Sequence, residues 1–188
     1  MVISAKKILQ LNRKYRLVEN LSEREMKNPE GIGIDVRAGE VYSLKGNAHL
    51  GVETRESPET NLIAISGKDK EVILKPMDYV LVKTMERLNL PAEKITVNGK
   101  RMHIMVDAKP RSTLQRCGVY LMSTKTDPGY SGELTFALVN LGPSQFRLEL
   151  GARIANLVFH EVIGNLHRAY SGQWKGGRVS TKGVEKQI

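Results

Sequence analysis

Short apolar runs, each closed by glycine, proline, asparagine or aspartate, restrict this chain to a β architecture. Runs rich in valine, isoleucine, leucine and threonine fall at Glu40–Leu44, Asn61–Ile65, Glu71–Leu74, Tyr79–Thr84, Leu134–Asn140, Gln145–Leu148 and Ala152–His160. Side chains of this kind suit a pleated surface, and the residues between them suit turns. Ile95–Ile104 reads as a hairpin, because its central Asn98-Gly99 pair accepts the positive φ angles of a two-residue turn. Helical spacing persists only near the start, from Ala5 to Asn12, with Ser4 as the cap and Ile8 and Leu11 on one face. Many short strands joined by tight turns favour a sandwich or jelly-roll.

With 188 residues, 40% hydrophobic and 26% charged, the chain suits one domain with a real core. No apolar run approaches the ~18 residues of a membrane helix. Lys6 and Lys7 have no apolar stretch behind them, so no secretory signal is expected. The single cysteine, Cys117, permits no internal disulfide and fits a reducing compartment, with the cytoplasm as the expected location. The net charge of +9 points to an anionic partner. Nucleic acid is the weaker candidate, since the basic residues are scattered and aromatics make up only 5%. A nucleoside triphosphate is also a polyanion. Four dispersed histidines (49, 103, 160 and 167) and one cysteine exclude the His/Cys zinc centre of zinc deaminases.

Five stretches carry candidate chemistry. Gly31–Arg37 contains Asp35, and Pro110–Gly118 contains Arg111-Ser112-Thr113 followed by Arg116. Guanidinium, hydroxyls and backbone N–H groups within one turn match phosphate oxygens, although a polar loop with a capping serine would read the same way. Asp127-Pro-Gly-Tyr-Ser-Gly-Glu133 puts a carboxylate on a turn beside Tyr130 and leads into an alternating strand. Leu150–Phe159 carries Arg153 and Asn156, with Arg153 as readily structural as functional. Gly176–Gly183 sets Arg178, Ser180 and Thr181 among glycines, a few residues after Tyr170 and Trp174. The only tryptophan sits in a polar tail, which suits docking or stacking better than a core.

In order and spacing these stretches resemble the five motifs of the trimeric dUTPase and dCTP deaminase superfamily, over nearly the whole chain. Met1-Val-Ile-Ser and Tyr15-Arg-Leu-Val18 resemble the deaminase branch. The resemblance implies an all-β, distorted jelly-roll (β-clip) with a short N-terminal helix, assembled as a homotrimer with active sites at subunit interfaces. It implies a domain over residues 1–169 and a flexible lid tail over 170–188 that closes on bound nucleotide. Asp127 aligns with the carboxylate that activates water, with Arg116 as its catalytic companion, and Tyr130 aligns with the aromatic set against the deoxyribose. Arg111, Ser112, Thr113, Asn156, Tyr170, Trp174, Arg178, Ser180 and Thr181 become substrate-binding candidates, and Asp35 a structural support. Mg²⁺ is expected on the substrate phosphates, with no metal ligands from the protein.

One position separates the two branches. The metal-free deaminases carry a glutamate in the pattern Asp-Pro-Gly-x-x-Gly-x-Ile-Thr-Leu-Glu-Leu, and the matching run here, Asp127 to Leu138, has Ala137 in its place. A methyl group neither deprotonates water nor shuttles a proton. Glu133 lies four residues earlier, in a Tyr-x-Gly-Glu run common in dUTPases. The expected reaction is therefore hydrolysis of dUTP to dUMP and pyrophosphate. A dCTP deaminase, a bifunctional enzyme, a non-catalytic deoxynucleotide sensor and a nucleic-acid-binding module stand as alternatives. Three departures bear on base choice and lid closure. The segment 119–126 is shorter than the family's base-recognition hairpin, Thr126 replaces an isoleucine, and the tail lacks a family glutamine around Gly176-Gly177. The Asn98-Gly99 hairpin looks like a local extension, since related deaminases run more directly from the Leu90-Pro91 equivalent to the Arg-Ser motif.

Overall fold

The computed structural model describes residues 1–187. Its first helix, Ala5–Tyr15, runs one turn past the expected end. The Ser4 hydroxyl accepts from the Lys7 amide at the front, and Arg16 adopts a left-handed cap (φ 50°) at the back. Ala5, Ile8 and Leu11 are buried. The Asn12 side chain then bonds both the N–H and the C=O of Val18, folding the chain back onto the sheet. Five-residue helices at Glu23–Lys27 and at Ser112–Arg116 were not expected, the second falling on the candidate phosphate-binding run.

Most of the chain enters one 11-stranded sheet. Its main path runs Val119–Met122, Ser131–Asn140, Tyr79–Asn89, Ile34–Lys45, Arg153–Val162, Lys100–Pro110 and Lys125–Thr126, every neighbour antiparallel. The strands at the two ends of that path are separated in sequence only by Ser123 and Thr124. A link that short reaches ~10 Å, so the sheet must curl until its ends meet. The Ser123 hydroxyl bonds the Ala108 carbonyl at that junction, while among the described residues no ladder closes it. The fold is thus mostly β with a short N-terminal helix, as expected, and its pairing runs as one curled sheet with side strands. Two smaller sheets pair Glu71–Leu74 with Phe146–Glu149, and His49–Leu50 and Glu185–Lys186 with Thr54–Glu56. The hairpin forms where expected, with Asn98 and Gly99 at φ 49° and 79°.

Alternation decides which face is buried. Along Ser131–Asn140, Leu134, Phe136 and Leu138 enter the core, whereas Glu133, Thr135 and Ala137 lie on the opposite face. Ile34, Leu88, Ile104, Ile154, Leu157 and Phe159 complete the centre, each contributing about 1.5–3 kcal/mol by leaving water. Tyr79–Asn89 sends two polar groups inward, Thr84 and Glu86. Both sit where the ladders slip on either side, between Glu133 and Thr135 and between Ala38 and Glu40. Thr84 donates to the Glu86 carbonyl and accepts from the Leu134 amide. The Glu86 carboxylate accepts from the Arg37 amide at 2.7 Å and its guanidinium at 2.6 Å. Burial pushes the Glu86 carboxyl up, against the pull of Arg37. No described helix is long and apolar enough to cross a membrane.

Candidate functional site: a pocket beneath the C-terminal tail

The Asp127–Tyr130 turn is pinned by reciprocal backbone bonds, Gly129 N–H to Leu90 C=O and Leu90 N–H to Tyr130 C=O. It presents the Asp127 carboxylate half-exposed and ion-paired with the Lys125 ammonium. Tyr130 is buried, and its hydroxyl donates to the Glu133 carbonyl at 2.6 Å. That burial, aided by Tyr170 and Glu133, pushes the phenol up to about 12, so it stays neutral. Its ring meets Tyr170 at a centroid distance of 5.7 Å and a tilt of 57°.

The tail lies across this turn. Tyr170 donates its N–H to the Pro128 carbonyl, and Gly176 donates to the Ser131 carbonyl. A Cβ on Gly129 would come within 2.8 Å of the Tyr170 carbonyl oxygen, so the turn glycine is what admits the tail. Trp174 sits between two guanidinium groups, Arg55 at 4.8 Å and Arg178 at 5.9 Å from its ring, a cation–π arrangement. Arg178 is anchored by Glu185 at 2.5 Å and raised further in pKa by it. Beneath the tail is a pocket of about 360 Å³ lined by Leu81, Asp127, Tyr130, Thr135, Trp174 and Arg178, among others.

Of the candidates, this pocket gathers Asp127, Tyr130, Tyr170, Trp174 and Arg178. Arg111 and Asn156 lie elsewhere, on Asp35. That carboxylate is buried and takes Arg111 at 2.9 Å, Arg153 at 2.8 Å and the Asn156 amide at 2.8 Å, while its own N–H donates to buried Glu25. The Asn156 side chain packs over Gly33, where any Cβ would meet its Oδ1 at 1.9 Å. Arg111 and Asn156 were expected on substrate; here their polar atoms serve Asp35. Ser112, Thr113 and Arg116 are exposed, with no side-chain hydrogen bonds among the described residues.

Ser180 and Thr181 also have partners within the chain. They were expected on the outer phosphates, yet Thr181 is buried and its hydroxyl accepts the Ser57 amide at 2.9 Å, while Ser180 meets the Thr60 hydroxyl at 3.1 Å. Ser57 offers an N–H and a hydroxyl together, which satisfies both groups of Thr181. The last expected tail residue, Ile188, lies outside the described residues. Sequence reasoning missed Leu81, Thr135 and Arg55. Alternation along 131–140 places Thr135 on the pocket face, and its buried hydroxyl has no partner among the described residues. No three His, Cys, Asp or Glu side chains among the described residues cluster to hold a metal ion.

Residues 2–162 match the dCTP deaminase-like (DCD) family. The chain belongs to that family. The matched region ends before Tyr170, so the tail over the pocket lies beyond it. The chain is 30% identical to the dCTP deaminase of Pyrococcus furiosus over 164 residues, 87% of each protein. It is 33% identical to a probable deoxyuridine 5′-triphosphate nucleotidohydrolase of Aeropyrum pernix over 144 residues, 77% of this chain and 82% of that one. The crystal structure of the Agrobacterium tumefaciens 2′-deoxycytidine 5′-triphosphate deaminase superposes with a TM-score of 0.61 at 16% identity, covering 84% of this chain. It shares the fold, and this chain spans about half (47%) of its length.

Proposed function

We propose that this family member processes a pyrimidine deoxynucleoside triphosphate, and that its reaction is hydrolysis of dUTP to dUMP and pyrophosphate. The single observation that carries the choice is the acid inventory of the pocket. Asp127 is its one lining carboxylate. Residue 137, on the same strand face as Thr135, is alanine. Ala137 stands between Leu81 and Met122 on the neighbouring strands, an apolar row with no acid to replace the missing glutamate. Asp127 takes a proton from water, the water oxygen attacks the α-phosphorus, and pyrophosphate leaves. Lys125, held by Asp127 here, would exchange that partner for the polyphosphate when substrate arrives. Tyr130 and Tyr170 offer aromatic faces to base and sugar. Mg²⁺ carried on the substrate phosphates would neutralise part of their charge; among the described residues no three His, Cys, Asp or Glu side chains cluster to hold it.

The second reading, dCTP deamination, has a specific observation behind it. The family and most of its similar relatives, including the Pyrococcus furiosus protein, carry the deaminase name, and similarity alone favours that activity over dUTP hydrolysis. The missing acid is the reason for ranking it second. Incubating the protein with dUTP and dCTP in Mg²⁺ and assaying pyrophosphate and ammonia separately distinguishes them. Pyrophosphate from dUTP without ammonia from dCTP is expected; ammonia from dCTP overturns the proposal.

The active form in this reading is a homotrimer. One chain separates the Asp127 pocket from the exposed Ser112, Thr113 and Arg116, and a neighbouring copy's loop would bring phosphate donors to the pocket. Mixing Asp127→Asn subunits with Arg116→Ala subunits should then restore activity that neither variant has alone. No recovery on mixing, with subunit exchange verified, rejects a shared site.

A further inference from the structure

We propose that the hairpin extension at 95–104 and the segment 163–169 build a second anion site, made for a phosphate group, at the far end of the groove that begins at Asp127. An open cavity of about 610 Å³ lies between them, lined by Lys94, Arg101, His103, His167 and Arg168, with Glu93 its one acid. The placement follows from the register. His103 pairs with Val162 at the end of its ladder, so the segment leaving that strand starts beside it, and residues 165–169 line the same cavity.

Two observations mark the site as built. Most of the ordered guanidinium groups of this chain contact a carboxylate: Arg24, Arg37, Arg87, Arg111, Arg147, Arg153 and Arg178 all do. The three cations here are ordered by neutral oxygens instead. Lys94 donates to the Asn165 amide oxygen at 2.6 Å, Arg101 to the Lys94 carbonyl at 2.9 Å, and Arg168 to the Ser171 hydroxyl at 2.7 Å. Their positions are set while their charge is left uncompensated, which is what an anion site requires. The second observation is His103. It is buried, and neither ring nitrogen has a hydrogen-bond partner among the described residues, with Nδ1 sealed from solvent. The ring lines the basic cavity, and an N–H on its accessible side would donate to an arriving ligand oxygen.

The cavity also shares walls, step by step, with the candidate active site. Leu166, Arg168 and Ala169 line both it and a smaller cleft over Pro128, and that cleft shares Asp127 and Tyr170 with the nucleotide pocket. The ligand is therefore either the pyrophosphate released at Asp127, in which case the site rests on the proposed hydrolysis, or a separate phosphate ester.

The test is calorimetric titration of the full chain with inorganic pyrophosphate, at ionic strength held constant with chloride. Binding is expected to weaken roughly tenfold, about 1.4 kcal/mol, in Arg101→Gln and separately in Lys94→Gln. The two variants guard against misfolding in either one. Pyrophosphate tighter than a nucleoside monophosphate identifies a leaving-group site, and the reverse order identifies a site for a phosphate ester. No pyrophosphate binding, or binding unchanged in both variants and displaced by nucleotide, overturns the proposal. The readout is binding without turnover, so it stands even if hydrolysis of dUTP fails.

Discussion

Gly132 lies so close to Gly177 that a Cβ on Gly132 would sit 2.3 Å from the Gly177 amide nitrogen, and a Cβ on Gly177 would sit 2.4 Å from the Glu133 carboxylate. The tail crosses the strand where both segments lack a side chain. Gly132 also has φ 142°, a conformation that side chains resist. The strand partner of Gly132, Leu88, is fully buried, so the strand itself cannot retreat.

Gly132→Ala should therefore lift the tail and leave the sheet. Trp174 is the only tryptophan and reports this directly. Its emission should shift to the red and become more open to a soluble quencher, with far-ultraviolet circular dichroism unchanged and turnover reduced. An unaltered Trp174 environment would show that the contact is not needed for docking.

Acid should release the same tail by a different route. Arg178 beside Glu185, with the Lys182 N–H, holds the Glu185 carboxyl below its ordinary value of 4.5. A depressed folded pKa means that the pair's contribution is present above the ordinary value and is lost as pH falls through the folded one. Trp174 emission followed from pH 7 downward should be flat until that acidic range and then shift. Glu185→Gln should abolish the step. A transition centred at neutral pH would point to a different group.

Much of the β framework was legible because alternation is local. Tyr79–Thr84 was seen only in part, since the inward Thr84 and Glu86 break the apolar pattern. Their burial is made tolerable by Arg37 and Leu134, from strands far away in sequence. The five-residue helices at Glu23–Lys27 and Ser112–Arg116 are too short to show a period. The turn at Asp127 announced the pocket, because its residue types and order are both unusual. The Asp35 cluster did not announce itself: Arg111, Arg153 and Asn156 are 76 to 121 residues away along the chain. The same holds for Thr181, whose partner Ser57 is 124 residues distant.

That cluster predicts a stability effect. Asp35→Ala leaves two guanidinium groups and an amide without their shared acceptor. Breaking a buried pair costs ~3–5 kcal/mol. Arg111 and Arg153 keep about a third of their side-chain surface exposed, 32% and 34%, so a loss of about 3 kcal/mol is expected. Asp35→Asn, which keeps an acceptor oxygen, should lose less. Denaturant titration of both variants measures this. A loss below about 1 kcal/mol, the scale of an exposed pair, would mean that the cluster is incidental.

Asp127→Asn tests the chemistry itself. The turn is held by backbone bonds to Leu90, not by the carboxylate, so the substitution should leave the fold intact. Asparagine is nearly isosteric, which preserves the pocket shape while removing the proton acceptor. Lys125 loses its charged partner and gains freedom to meet the polyphosphate, so nucleotide affinity should hold or rise slightly. A positioned base contributes ~10²–10⁴-fold, and the drop should fall on kcat with KM little changed. Glu133, the nearest alternative acid, is engaged by Arg87 and capped by Gly177, which leaves it poorly placed to substitute. A variant that keeps more than about a tenth of the parent rate, well inside that expected range, would remove Asp127 from the role of base.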